Sequence, residues 1–136
     1  MTAAASRRLI DAARSLLPRA AAPYSRFRVA AALEDAAGEI HPGVNVESVS
    51  YGLTMCAERN ALFGAMARGA QGFRRIAIVS SGSGPVVPCG ACRQVLLEYA
   101  PDLIVILSGA GAEPVEEIPI RELLPRPFVS FDRTDP

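Results

Sequence analysis

The chain has 136 residues, half of them hydrophobic and 21% charged, which suits one domain, 1–136, and excludes a disordered polypeptide. Its 14 arginines balance 14 acidic residues, so no net charge draws it to nucleic acid or to an anionic membrane. It has no lysine, which rules out Schiff-base chemistry and the phosphate loop that needs one.

Leu9, Ile10, Ala13, Leu16 and Leu17 recur at helical spacing and predict an amphipathic helix over 3–17, ended by Pro18 and Pro23. The alanine-rich, basic start raises the question of a targeting peptide. Asp11 interrupts it and no apolar run follows, so none is expected. Alternation of Phe27, Val29, Ala31 and Leu33 predicts a strand over 27–34. A second strand is expected over 39–47, with Pro42 and Gly43 marking a bulge or a sheet edge. Residues 48–54 show no clear period. "MCAERNALFGAMARG" predicts a helix ending at Gly69, and its stretch 61–67 is a candidate face for packing against a second copy. "FRRIAIVSS" reads as a buried strand, "GSGPVVP" as a loop, "CGACRQVLLEYA" as a short helix stopped by Pro101, and "DLIVILS" as a strand. A short strand over 115–118, a helical turn over 119–124 and a polar, proline-rich tail complete the chain. The order α-β-β-α-β-α-β-β implies one mixed sheet with helices on its faces. No apolar stretch is long enough for a membrane-spanning helix.

Three cysteines fit a disulfide framework poorly, so a reducing cytoplasm and a metal role are expected. Cys89 and Cys92 lie one turn apart at a helix start, and Cys56 stands at another helix start. Helix N-termini stabilise thiolates, and three thiolates with one open position make a catalytic zinc pattern. Two other readings of the cysteines stay open here. Cys89 and Cys92 alone fit a redox dithiol, and a closed structural zinc site needs a fourth ligand. His41, in the turn-like "IHPG", is the only histidine and reads as a solvated loop residue rather than that ligand. Glu58, two residues after Cys56, is placed to move protons near a metal without binding it. Arg59 can offset the charge of three thiolates. Asn45 and Glu47 stand two apart on the expected strand, so both side chains emerge on one face and suit a sugar's hydroxyls.

The combination of Cys56-Ala57-Glu58 with Pro88-Cys89-Gly90-Ala91-Cys92 is far more specific than either half. Together with "APYSRFRVAAAL" and "GVNVESVSYGLTMCAERNAL", in this order along nearly the whole chain, it resembles the cytidine deaminase family. Deaminases of adenosine, guanine or deoxycytidylate usually carry histidine at the first ligand position. Cys56 there resembles the small nucleoside-acting type. The resemblance implies a three-layer α/β/α fold with a mixed sheet of roughly five strands. It implies one Zn2+ per chain on Cys56, Cys89 and Cys92, with Glu58 as proton shuttle and Arg59 hydrogen-bonded to the thiolates. The backbone at Ala57 would receive the base carbonyl, Phe27 would stack near the base, and Asn45 and Glu47 would bind the ribose. The implied activity is hydrolysis of cytidine and 2′-deoxycytidine to their uridine counterparts, with release of ammonia, in pyrimidine salvage. The implied assembly is a cytoplasmic homotetramer in which Tyr51 and Phe128 reach a neighbour's site. A deaminase of another aminopyrimidine nucleoside, such as blasticidin S, and a non-catalytic zinc or redox domain are the alternatives. One departure is Asn60, where a small residue or threonine is common.

Overall fold

A computed structural model describes residues 3–131. The elements are α1 (Ala3–Leu16), β1 (Val29–Glu34), β2 (Ile40–Val44), α2 (Ala57–Ala67), β3 (Arg75–Ser80), α3 (Gly90–Tyr99), β4 (Ile104–Ser108), β5 (Val115–Pro119) and α4 (Ile120–Leu123). The strands form one five-stranded sheet in the order β2-β1-β3-β4-β5. Only β3 and β4 are parallel; the other neighbours are antiparallel. The mixed sheet expected from the element order is therefore present.

Strand parity separates the layers. Ala32, Ala77, Val79 and Ile106 pack under Leu9, Ile10 and Ala13 of α1. On the opposite face, Ala31, Leu33, Ile76, Ile78, Val105 and Leu107 pack under α2 and α3. Successive strand residues point to opposite faces, so the interiors of β1, β3 and β4 are apolar and buried on both sides. Each fully buried leucine or isoleucine here contributes roughly 1.5–3 kcal/mol. Helix α2 turns Ala57, Ala61, Leu62 and Ala65 to the sheet. In the stretch 61–67, Ala61, Leu62 and Ala65 are thus spent on the chain's own core, and Phe63, Met66 and Ala67 remain exposed.

Helix α2 lies unusually close to β2. A Cβ at Gly43 would stand 2.2 Å from the Ala57 carbonyl oxygen and 2.6 Å from the Ala61 nitrogen. The glycine marks a close backbone approach, and its strand is the sheet edge that Pro42 requires. Both strand predictions were too long at the end nearest α2. Strand β1 begins at Val29 because the Asn45 amide takes the ladder's place: Val29 N–H donates to Asn45 Oδ1 at 2.9 Å, and Asn45 Nδ2 donates to the Phe27 carbonyl at 2.8 Å. Strand β2 ends at Val44, whose carbonyl accepts from Asn60 Nδ2 at 2.7 Å. The helix predicted from Met55 starts at Ala57, because Met55 instead exchanges backbone hydrogen bonds with Val46.

His41 is not solvated. It sits in β2 with 5% exposure. Its Nε2 lies 2.9 Å from Asp35 Oδ2, and its Nδ1 lies 3.1 Å from Arg68 Nη2. Arginine only donates, so Nδ1 accepts and Nε2 carries the proton given to Asp35. The turn-like "IHPG" misled because its neighbours in space, not in sequence, bury the ring.

Candidate active site

The register brings the start of β1 and the ends of β2, β3 and β4 to one edge of the sheet. Helix α2 follows β2 and helix α3 follows β3, so both begin at that edge. Cys56 is the residue before the first turn of α2, and Cys89 holds the same place on α3. Both have extended backbones and face the free N–H groups of their helices. Cys92 follows one turn into α3 and is fully buried.

The three Sγ atoms lie within 4.8 Å of one another, and Cys56 Sγ is 3.7 Å from Cys89 Sγ. Thiolates ~2.3 Å from a tetrahedral zinc stand about 3.8 Å apart, so the donor set fits one zinc ion with a fourth position left for a small ligand. The chain's cofactor is zinc, held by this cluster. A dithiol made of Cys89 and Cys92 alone leaves the approach of Cys56 unexplained. His41 does not complete a closed site, since it clusters with Asp35 and Glu39 instead.

Hydrogen bonding from Cys92, and then from Arg59 and Cys89, holds the Cys56 thiol down to about 5 against the opposing effect of burial. The same bond with Cys56, together with burial, pushes the Cys92 thiol up. Arg59 Nη2 donates to Cys56 Sγ at 3.4 Å, and that contact raises the already high guanidinium pKa. Glu58 is 5% exposed. Burial pushes its carboxyl up to about 7, and the negative Cys56 adds to this, while its own backbone N–H and Arg59 pull the other way.

A cavity of about 250 Å³ opens over the cluster, lined by Phe27, Asn45, Cys56, Ala57, Glu58 and Cys89. Val29, Thr54, Met55, Ile78, Val86 and Val87 complete its wall. Sequence reasoning missed these; the doublet Val86-Val87, apolar in a glycine-rich loop before Cys89, was the available signal. Glu47 and Tyr51 line an adjoining cavity of about 370 Å³ with Tyr24, Ser25, Ser48 and Thr54. Thr54 borders both cavities. Strand β2 ends at Val44, but Val46 goes on to bridge Ala21 and Met55, and Asn45 and Glu47 on either side of it line the two adjoining cavities. Glu47 is fixed by Ser25 Oγ and by the N–H groups of Tyr24 and Ser25, and the Ser25 hydroxyl holds its carboxyl below the ordinary range. Phe128 lines neither cavity. It stacks on Phe131, and its carbonyl accepts from Gln94 Nε2 at 2.6 Å. A larger cavity of about 950 Å³ surrounds Asp35, His41 and Arg68 at the far end of α2, away from the thiols.

Residues 4–108 match the family model described as cytidine and deoxycytidylate deaminase zinc-binding region. A cytidine deaminase of Halalkalibacterium halodurans is 46% identical over 113 residues, covering 83% of this chain and 86% of its own length. One from Sporosarcina psychrophila is 38% identical over 125 residues, 92% of each chain. The crystal structure of a cytidine deaminase from Burkholderia pseudomallei superposes with a TM-score of 0.87 at 45% identity, over 94% of this chain and all of that one. Fold, thiol cluster and these likenesses agree, and the chain belongs to the cytidine deaminase family.

Proposed function

We propose that this chain hydrolyses cytidine and 2′-deoxycytidine, replacing the exocyclic amine with oxygen and releasing ammonia. The observation that carries this reading is a buried carboxyl, Glu58, lining the same small cavity as Cys56 and Cys89, two of the three thiols spaced for one zinc. Zinc held there makes water acidic enough to supply a nucleophile near neutral pH. A carboxyl held near 7 is suited to take a proton at neutral pH and give it back. Glu58 therefore takes one proton from the attacking water and gives it to the ring nitrogen, then takes the second from the new hydroxyl on the ring carbon and gives it to the leaving amine. A redox or purely structural zinc domain has no use for such a group.

The other assignments follow the cavities. The N–H of Ala57, in the first turn of α2, has no partner within its helix and receives the base carbonyl. Phe27 lies along the ring. Asn45 has one N–H and one lone pair beyond its two backbone bonds, and Glu47 has carboxylate lone pairs facing the second cavity. Both are assigned to the sugar hydroxyls. Arg59 steadies the Cys56 thiolate. The whole chain acts as one catalytic domain in pyrimidine salvage, in a cytoplasm that keeps its thiols reduced. Among the described residues no helix is long and apolar enough to cross a membrane. Val49, Tyr51 and Leu53 are each more than 70% exposed beside the second cavity, which supports a homotetramer in which a neighbour covers them.

The test is an ultraviolet assay on cytidine with one zinc per chain. Turnover should vanish on chelation and return with zinc. A zinc-loaded protein that leaves cytidine and 2′-deoxycytidine untouched would sink the reading.

A further inference from the structure

Three thiols serve one zinc only if all three keep their direction, and each is held in a different way. Cys92 is fully buried and fixed by packing. Cys56 receives the Arg59 guanidinium at 3.4 Å. Cys89 is exposed and lies on the end of a loop, so packing does little to aim it.

Its backbone is held instead, and by a single residue. The Arg93 N–H donates to the Cys89 carbonyl at 2.9 Å, as the helix requires. The Arg93 side chain reaches back, and its Nε donates to the Pro88 carbonyl at 2.7 Å. These carbonyls belong to the two peptide planes that flank the Cys89 Cα. Fixing both planes fixes the φ of −66° and ψ of 167° at Cys89, and with them the direction of its Cβ. The guanidinium is itself anchored: Nη1 donates to the Leu123 carbonyl, at the end of α4, at 2.9 Å.

We propose that Arg93 is a positioning residue for zinc, aiming Cys89 at the metal through the Pro88 carbonyl and tying that ligand to the end of α4. The inference rests on the zinc reading above. Lysine would keep the charge but not the rigid fork that spans both carbonyls, so the conservative exchange isolates geometry from electrostatics.

The experiment measures zinc affinity by competition with a chromophoric chelator, alongside thermal unfolding of the metal-free proteins. Arg93→Lys and Arg93→Ala should bind zinc ~10–100-fold more weakly than wild type. Arg121→Ala, which removes only a surface pair with Asp102 at 3.6 Å, should match wild type. A merely structural Arg93 would lower the unfolding temperature and leave the zinc affinity of folded Arg93→Lys unchanged. That outcome, or an equal loss in Arg121→Ala, overturns the proposal. Should Arg93→Ala not fold, Arg93→Lys carries the test. A wild-type chain that takes up no zinc removes the zinc reading itself.

Discussion

Glu58 occupies the second position of α2, where the helix field favours a carboxylate by at most about 1 kcal/mol. Burial opposes that field and wins, since the carboxyl rises to about 7. A group so placed is more useful for moving protons than for anchoring a helix. Glu58→Gln keeps the shape and the zinc ligands but cannot exchange a proton. Its turnover of cytidine should fall ~10²-fold or more, with zinc still bound at one per chain. Deamination close to wild type would take Glu58 out of the mechanism. The Cys-x-Glu and Pro-Cys-x-x-Cys spacings were legible in the sequence because covalent spacing sets which residues share a helix start. The neighbours Val86 and Ile78 were not, because they come from a loop and a strand that only folding brings together.

At the scale of elements, α2 is docked at both ends. Near the site, Gly43 lets the first turn sit directly on β2, and Asn60 Nδ2 ties that turn to the Val44 carbonyl. Gly43→Ala would place a methyl group inside backbone atoms of Ala57 and Ala61 that cannot yield as a side-chain tip would. We expect a loss of ~1–3 kcal/mol or more in urea unfolding, with a further fall in kcat because Ala57 and Glu58 shift together. An unchanged unfolding midpoint would show that α2 does not rest on β2 in this way. At the far end, Asp35 accepts from His41 Nε2 and from the N–H groups of Ala37 and Glu39. The His41 hydrogen bond, first among these, holds the Asp35 carboxyl below its ordinary value of 3.8. A lowered folded-state value means that the stabilisation is complete above 3.8 and is lost as pH falls through the folded value. Asp35→Asn should therefore start from a lower Tm at neutral pH and lose less of it below about pH 4 than wild type. Parallel Tm profiles would remove Asp35 from the acid limb.

For the whole molecule, the most exposed apolar side chains fall in two stretches of the chain. Val46, Val49, Tyr51 and Leu53 lie in the irregular stretch leading to the zinc helix, and Phe128, Val129 and Phe131 lie near the C-terminus. In the isolated chain these side chains are 46–79% exposed, and an assembly would bury them. Light scattering should give the mass of four chains. Activity per chain should drop on dilution below the dissociation range, because the second cavity would lose its cover. A monomer with undiminished kcat/KM would sink both the tetramer and the shared site.

The sequence was enough for the order of elements, the mixed sheet, the three thiols and the carboxyl beside them. Each of these depends on period or spacing along the chain, where neighbours in sequence are neighbours in space. That Cys56 and Cys89, 33 residues apart, meet came only from the family resemblance, and the fold brings them within 3.7 Å. Sequence reasoning ran the second strand on to 47, whereas β2 ends at Val44 and the residues beyond it line two adjoining cavities. It left His41 in solvent, whereas the fold buries it between Asp35 and Arg68. It read Pro42 and Gly43 as a bulge or an edge, and β2 is an edge; what it could not show is that the missing Cβ at Gly43 lets α2 carry Ala57 and Glu58 into the cavity. These matters rest on contacts between residues far apart in the chain. Local propensity is blind to such contacts, because their energies exist only once the layers have packed.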